Sequence, residues 1–413
     1  KVLKNLKESW ISVIAIVLLL IVQAAGDLTL PDYTSKIVNV GIQNGGIENV
    51  APEVIRKSEM ENMLIFTEED NKILASYEEI SKDNLDRNEY EKLVKKYPVL
   101  ENEALYRIKK ISSSEQDELD SLMAKPLMML SVTKQMPKEQ LDQMLETVNQ
   151  KIDDMQDSIL EQAAIQEVKN EYKSIGMDTD GIQNQYIIMA GLKMLGISLI
   201  IMISAISIMC LSARVAATLA KTLREKVFKK VLRFSNKEFS EYSTASLITR
   251  STNDIQQIQG LIAILFRVLV YAPIIGIGGF LRVLNQSDNS MAWIIGVAIL
   301  AILFVVATLF IIAMPRFKKL QQLIDKLNLV AREILTGLPV IRAFNTEKKE
   351  EKRFDKANID LTKTNLFVNR AMSFMMPTLM LIMNGILLLI VWVGAHGIDN
   401  GTMQVGNMMA FIQ

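Results

Sequence analysis

Two stretches of the chain, Met291–Met314 and Ala371–Ala395, contain no charged side chain at all. They are 24 and 25 residues long, so as helices each extends about 36 Å, enough to cross a hydrocarbon core of roughly 30 Å. A helix satisfies its own backbone, and a bilayer takes up its side chains without a protein core. An all-α membrane protein is therefore predicted. Ile11–Ala25, apolar apart from Ser12 and Gln23, reaches spanning length with Leu28 and Leu30. Tyr186–Leu211 carries only Lys193, placed where its stem can snorkel outward. A further span, Val268–Leu281, is bracketed by Arg267 and Arg282, with Pro273 as its expected kink. Met403–Gln413 reads as the start of a sixth span; five spans would require this tail to be interfacial. Beginning at Lys1 and stopping within an apolar run, the sequence reads as an excerpt of a longer protein.

Charge divides the chain further. Lys/Arg and Asp/Glu are 46 each, but residues 37–185 hold 17 basic and 30 acidic side chains, a net of −13 balanced by +13 elsewhere. The segments 1–10, 212–254 and 315–370 carry +2, +5 and +6, which by the positive-inside rule makes them cytoplasmic. The acidic segment and the turns 285–290 and 396–402 then fall outside, placing the protein in the plasma membrane with its N-terminus in the cytoplasm. Val2, Leu3, Leu6 and Trp10, spaced between lysines, predict a short interfacial elbow helix, so that residues 1–36 comprise this elbow and the first span. A single cysteine, Cys210, excludes an intrachain disulfide, and a single histidine, His396, excludes the usual zinc sites.

The 37–185 segment predicts a separate, mostly helical extracellular insert. Leu141, Met144, Leu145, Val148, Ile152, Met155 and Ile159 recur at steps of three or four, one face of an amphipathic helix that continues to Tyr172. A second helix is predicted around Leu85–Val94, and Lys125-Pro126 reads as a turn into a small core. Carboxylate clusters such as Glu68-Glu69-Asp70 have neither EF-hand nor glycosidase spacing. The segment reads as a cap or cargo receiver whose carboxylates concentrate cations, or as a solvated acidic domain.

The connections 212–267 and 315–370 are 56 residues each, charged and poor in Gly and Pro. They predict helical extensions of the spans, each limb of about 25 residues projecting about 38 Å. The second contains Glu333, Thr336-Gly337, Val340-Ile341-Arg342-Ala343-Phe344, Glu347 and Arg353-Phe354. This string resembles the transmembrane domain of ATP-binding-cassette (ABC) exporters, and the likeness covers residues 186–413. Leu30-Pro-Asp-Tyr-Thr-Ser-Lys-Ile-Val-Asn39 is similar to the outer end of that family's first helix, although the family's first outer loop is short and here it is 149 residues. The resemblance implies a six-helix domain, its sixth helix truncated here, working as a homodimer or heterodimer with a second exporter half.

It further implies coupling helices that sit on nucleotide-binding domains. Ser240, Glu241, Tyr242, Ser243 and Thr244 are similar to the first, and Leu320, Gln321, Gln322, Leu323, Ile324, Asp325 and Lys326 to the second. Leu247, Arg250 and Asp254 match family positions after the first coupling helix, whereas Ala245 replaces a usual glycine. No Gly-x-x-x-x-Gly-Lys-Ser/Thr loop occurs, so no phosphate cradle and no catalytic site is expected in this stretch. ATP and Mg belong to nucleotide-binding domains beyond it.

The expected function is outward movement of a hydrophobic or amphipathic solute, a drug, lipid or peptide, by alternating access driven by ATP hydrolysis. Gln23, Asp27, Met194, Met372, Met375, Met376 and Asn384 are the candidate cavity residues, methionine suiting an adaptable apolar site. Membrane lipids are expected partners, and nucleic acid is not. An alternative is a membrane receptor or sensor with an extracellular ligand-binding domain, which five or six spans and two matched stalks fit poorly. A channel would call for a filter-like loop or charge ring, and none is visible.

Overall fold

The structure is a computed structural model that describes residues 9–82, 84, 86–135, 157–235, 237–238, 243–284, 291–400 and 402–413. The predicted elbow (1–8) and the amphipathic stretch 141–156 lie outside the described residues. Among the described residues, five helices are long and apolar enough to cross a membrane. The chain divides into two compact units, residues 1–288 with 396–413, and residues 289–395.

In the first unit, α1 (Trp10–Lys36) passes directly into a π-helical stretch, Ile37–Gln43. The chain then turns at Gly45 and Gly46, both at positive φ. Gly46 packs so closely that an added Cβ would stand 2.8 Å from the Gln183 Cα. Only glycine combines that backbone conformation with that approach.

The acidic segment follows, within the same compact unit. It comprises β1 (Val54–Arg56), α2 (Lys57–Leu64), α3 (Asp70–Ala75), β2 (Tyr77–Ile80), α4 (Arg87–Lys96), β3 (Leu105–Ile108), α5 (Ser113–Gln135) and α6 (Asp157–Ile175). The strands form an antiparallel sheet of order β1-β3-β2, with Ile55 opposite Tyr106 and Tyr77 opposite Ile108. Helices dominate, as expected, but the sheet is an addition to the sequence reading. The predicted turn at Lys125-Pro126 is corrected: Pro126 lies inside α5. Leu119, Met123, Leu127 and Leu130 face the core on both sides of it, and continuing this stripe outweighs the one backbone hydrogen bond that proline removes.

With α1, the long apolar helices of this unit are α7 (Thr179–Val231) and the stretch through α8 (Thr244–Ser251), α9 (Asn253–Leu265) and α10 (Tyr271–Leu284); the eight-residue α13 (Val405–Ile412) stands at the end. Asp178 caps α7, its carboxylate accepting from the Gly181 N–H at 2.9 Å. Between α9 and α10 the helix passes through a π-helical turn, Phe266–Val270. Pro273 cannot donate to the carbonyl four residues back, at Leu269, so the widened turn lies where the ordinary ladder is interrupted. α1 packs along α7, α10 and α13. Ile16 and Leu20 of α1, Val215 and Leu219 of α7, and Ile262 with Phe266 form a buried seam.

The second unit is built from α11 (Ala292–Ala343) and α12 (Glu347–Asp399), which runs on into the first. Asn345, at φ 53°, ends α11 in the left-handed region. The Thr346 N–H donates to the Ile341 carbonyl at 3.0 Å and the Asn345 N–H to the Arg342 carbonyl at 3.3 Å. This is a Schellman motif, satisfying carbonyls that the end of α11 leaves free and reversing the chain in three residues.

Candidate stalks and membrane-embedded polar contacts

The second long connection is helical apart from its turn, as its composition predicts, and the described residues of the first lie mostly in the end of α7, α8 and α9. α11 continues for 29 residues beyond its charge-free run, from Pro315 to Ala343, and α12 begins 24 residues before its own, from Glu347 to Arg370. At 1.5 Å per residue these limbs are about 43 and 36 Å long. Arg353 ties them together, donating to Glu333 of α11 at 2.5 Å and to Glu350 of its own helix at 3.3 Å. Close to the turn, an apolar cleft of about 510 Å³ is lined by Ile334, Leu335, Leu338, Ile341 and Phe354, with Glu347 and Glu350 also along it. Leu335 and Phe344 are 73% and 75% exposed, so this end of the hairpin presents unpartnered apolar surface.

The two predicted coupling segments are placed differently. Ser240, Glu241 and Tyr242 lie outside the described residues; Ser243 caps α8, its hydroxyl accepting from the Ser246 N–H at 3.3 Å, and Thr244 is the first residue of that helix. Leu320–Lys326 is in the middle of α11, 18 residues short of Phe344. That is about 27 Å along the helix from its end, so the structure does not bring this segment to the tip of a stalk. The residues at the tip were quoted in the sequence as a family string, but nothing in their order marks where the chain reverses.

The candidate cavity residues are divided between the two units. Gln23 and Asp27 are on α1, Met194 on α7, and Met372, Met375, Met376 and Asn384 on α12, in the other unit. Met376 is 65% exposed. Asp27 alone gains a clear partner, the Tyr271 hydroxyl of α10, which donates to its carboxylate.

Farther along α1 lies a polar cluster that the sequence reading missed. Asn39, on the π-helical stretch, accepts from the Gly406 N–H at 2.7 Å and donates to Asn407 Oδ1 at 3.2 Å. Ser35 donates to the same Asn407 oxygen at 2.8 Å. Asn39 and Ser35 are both buried, so these bonds replace the water they have lost. Asp32 pairs with Arg282 of α10 nearby. A cleft of about 270 Å³ runs beside Asp32, Ser35, Asn39, Gln404 and Asn407. The chemistry is that of hydrogen bonding and charge pairing, holding α1 to α13 and α10; no nucleophile–base pair is present in it.

In the acidic segment the buried carboxylates Glu59, Glu167 and Glu171 are paired. Glu171 accepts from the Arg56 backbone N–H at 2.9 Å and from its guanidinium at 2.7–3.2 Å, which raises the Arg56 guanidinium above its ordinary range. Lys134 bridges the buried Glu59 and Glu167. Among the described residues, no group of three His, Cys, Asp or Glu side chains is arranged to hold a metal ion.

A model of the ABC transporter transmembrane region matches residues 142–413, about two thirds of the chain. The chain belongs to that family. It is 35% identical over 230 residues to an uncharacterized ABC transporter ATP-binding protein of Mycobacterium tuberculosis, covering 55% of this chain and 39% of that one. To the uncharacterized ABC transporter ATP-binding protein YfiB of Bacillus subtilis it is 31% identical over 241 residues, covering 56% and 41%. An ATP-dependent lipid A-core flippase of Pseudomonas aeruginosa is 28% identical over 208 residues, covering 48% and 33%. The chain thus spans about two fifths of the length of the first two relatives. As an ABC exporter membrane domain it has the expected all-α, multi-pass architecture, with α11 and α12 as its most prolonged helices beside α7.

Proposed function

We propose that the chain is the membrane part of an ATP-driven exporter that moves a hydrophobic or amphipathic solute outward by alternating access. In this reading the α11–α12 hairpin and the α7–α9 segment are levers reaching into the cytoplasm, where nucleotide-binding domains bind ATP and Mg and close on each other. A second exporter half completes the pathway, and the acidic domain stands outside the cell. The observation that carries the reading is the hairpin itself: two limbs of about 36–43 Å end in a hydrogen-bonded turn with exposed apolar residues beside it. A movement imposed at such an end is transmitted along rigid helices to the membrane. The flippase name of the Pseudomonas relative supports an amphipathic lipid among the solute classes. A receptor would have little use for two stalks of this length and is not favoured.

The second contact with the nucleotide-binding domain is accordingly assigned to the turn around Phe344 rather than to Leu320–Lys326, and the first stays with Ser240–Thr244. The test is made in the complete transporter, reconstituted in vesicles. Phe344→Asp and Tyr242→Asp should each leave the protein expressed and its basal ATPase present while solute export and solute-stimulated ATPase fall at least about tenfold, the effect of desolvating an unpaired charge. Uncoupling by Ile324→Asp with Phe344→Asp silent would return the contact to the middle of α11. Normal export by all three variants would remove the lever reading.

A further inference from the structure

The α11–α12 hairpin has a second cleft, of about 400 Å³, lined by Arg316, Lys319, Leu323, Asp360, Lys363, Thr364 and Phe367. Three of these side chains are cationic and one is anionic. Among the described residues, no ion pair neutralises Arg316, Lys319 or Lys363, whereas Arg353, farther along the same hairpin, is held by two glutamates. The Thr364 hydroxyl is already used, donating to the Asp360 carbonyl at 3.0 Å. Asp360 offsets one of the three positive charges; the remaining excess is repulsive, and an anion between the cations would relieve it.

The position of the cleft in the sequence fixes its depth. Arg316 is two residues beyond the charge-free run 291–314, and Phe367 is four residues before the run 371–395. Both helices therefore cross from apolar to polar at this level, which is where the phosphates of a lipid leaflet lie. Arg316 sits with its guanidinium 4.7 Å from the centre of the Phe367 ring. That contact ties the group to the cleft wall, and a guanidinium's N–H donors match phosphate oxygens. The two lysines add point charges that need no fixed geometry. The ring and Leu323 supply apolar wall beside the charges, as an amphipathic ligand requires.

We propose that this cleft is a binding site for the phosphodiester headgroup of an anionic membrane lipid, whose acyl chains stay in the bilayer. The shared chemistry is that of phosphate, for which a free anion is the other source. Basic pockets between membrane helices at the cytoplasmic side are a general means of holding such headgroups. The inference depends only on the two charge-free runs crossing the bilayer. It requires neither ATP coupling nor any particular transported solute.

The test uses the complete transporter, delipidated in detergent and titrated with phosphatidylglycerol, binding being counted by native mass spectrometry. Lys319→Gln and Lys363→Gln should each weaken phosphatidylglycerol about fivefold, the usual worth of one lysine near an anionic surface. Lys348→Gln, near the turn, should leave it unchanged, and each variant is checked for an unaltered elution volume. Phosphatidylcholine should bind more weakly than phosphatidylglycerol, and inorganic phosphate at millimolar concentration should not displace the lipid. Equal losses in Lys348→Gln would reduce the effect to net charge and overturn the site. Unchanged binding in the two cleft variants would do the same, and displacement by inorganic phosphate would make the cleft a free-anion site instead.

Discussion

In the acidic domain Leu105, Met123 and Met60 are sealed from solvent, whereas on the α11–α12 hairpin Phe304, Ile311 and Leu388 are each at least 70% exposed. Both regions are rich in apolar residues. The domain has to bury them internally, so it gathers short helices and a sheet around one cluster. The hairpin has two continuous helices whose backbones need no help, and its side chains are left for lipid or for another protein surface. Exposure that would mark an aggregation hazard in the domain is thus ordinary in the hairpin.

The comparison breaks most readily at the domain's ion pairs. Glu171→Ala should destabilise the acidic domain by about 3–5 kcal/mol, because it leaves the Arg56 backbone N–H without its acceptor and its guanidinium with Glu59 at 3.7 Å in place of a two-oxygen partner. Leu105→Ala should cost about 2–5 kcal/mol by leaving a cavity. Both are read by chemical denaturation of residues 45–180, expected to fold alone with a mostly helical circular-dichroism spectrum and with unfolding insensitive to reductant. Retention of full stability by both variants would mean that the cluster is not what holds the domain.

An intermediate effect is expected where a membrane helix packs as tightly as the domain does. At Gly406 an added Cβ would meet Asn39 Oδ1 at 2.5 Å and the Ser35 carbonyl at 2.6 Å. Gly406→Ala should therefore cost about 1–3 kcal/mol through overpacking. It should also lower disulfide formation between cysteines placed at Ser35 and Asn407 in a Cys210-free protein. Unchanged cross-linking would show that α13 does not rest on α1 at this point.

A smaller effect separates the two regions by pH. Burial raises the Glu53 carboxyl, but the hydrogen bonds donated by Lys96 at 2.6 Å and Tyr97 at 2.9 Å outweigh it and hold the group below its ordinary value. A carboxylate depressed in the folded state contributes stability above its unfolded pKa of about 4.3 and loses that contribution as pH falls through the folded value. Glu53→Gln should thus be less stable than the parent domain at pH 7, with the gap closing in acid. A gap that does not change with pH would assign the loss to packing. The smallest change belongs to the hairpin: Leu388→Ala or Phe304→Ala should alter thermal stability in detergent by no more than about 0.5 kcal/mol, as at other exposed sites. A larger loss would reveal that these faces are covered in the assembled protein.

The charge-free runs determined the spans without reference to any other part of the chain, because a helix in lipid is specified by local composition alone. The helical character of the stalks was legible for a similar reason: long charged stretches poor in glycine and proline have few alternatives to helix. The family likeness was legible too, carried by the string from Glu333 to Phe354. The sheet was not, since strands of three or four residues such as Val54–Arg56 and Tyr77–Ile80 are too short for an alternating pattern to stand out. Pro126 misled because proline usually punctuates, and only the buried stripe on either side of it decides that the helix continues. The place where α11 reverses, and with it the end of the stalk, depends on the left-handed Asn345 and the carbonyls it satisfies. Asn39 and Asn407 are 368 positions apart; in sequence Asn39 only closes the Leu30–Asn39 string and Asn407 is a polar residue in an apolar tail, and only the packing of α13 on α1 makes them partners, because a buried amide away from water must find its hydrogen bonds wherever the fold brings them.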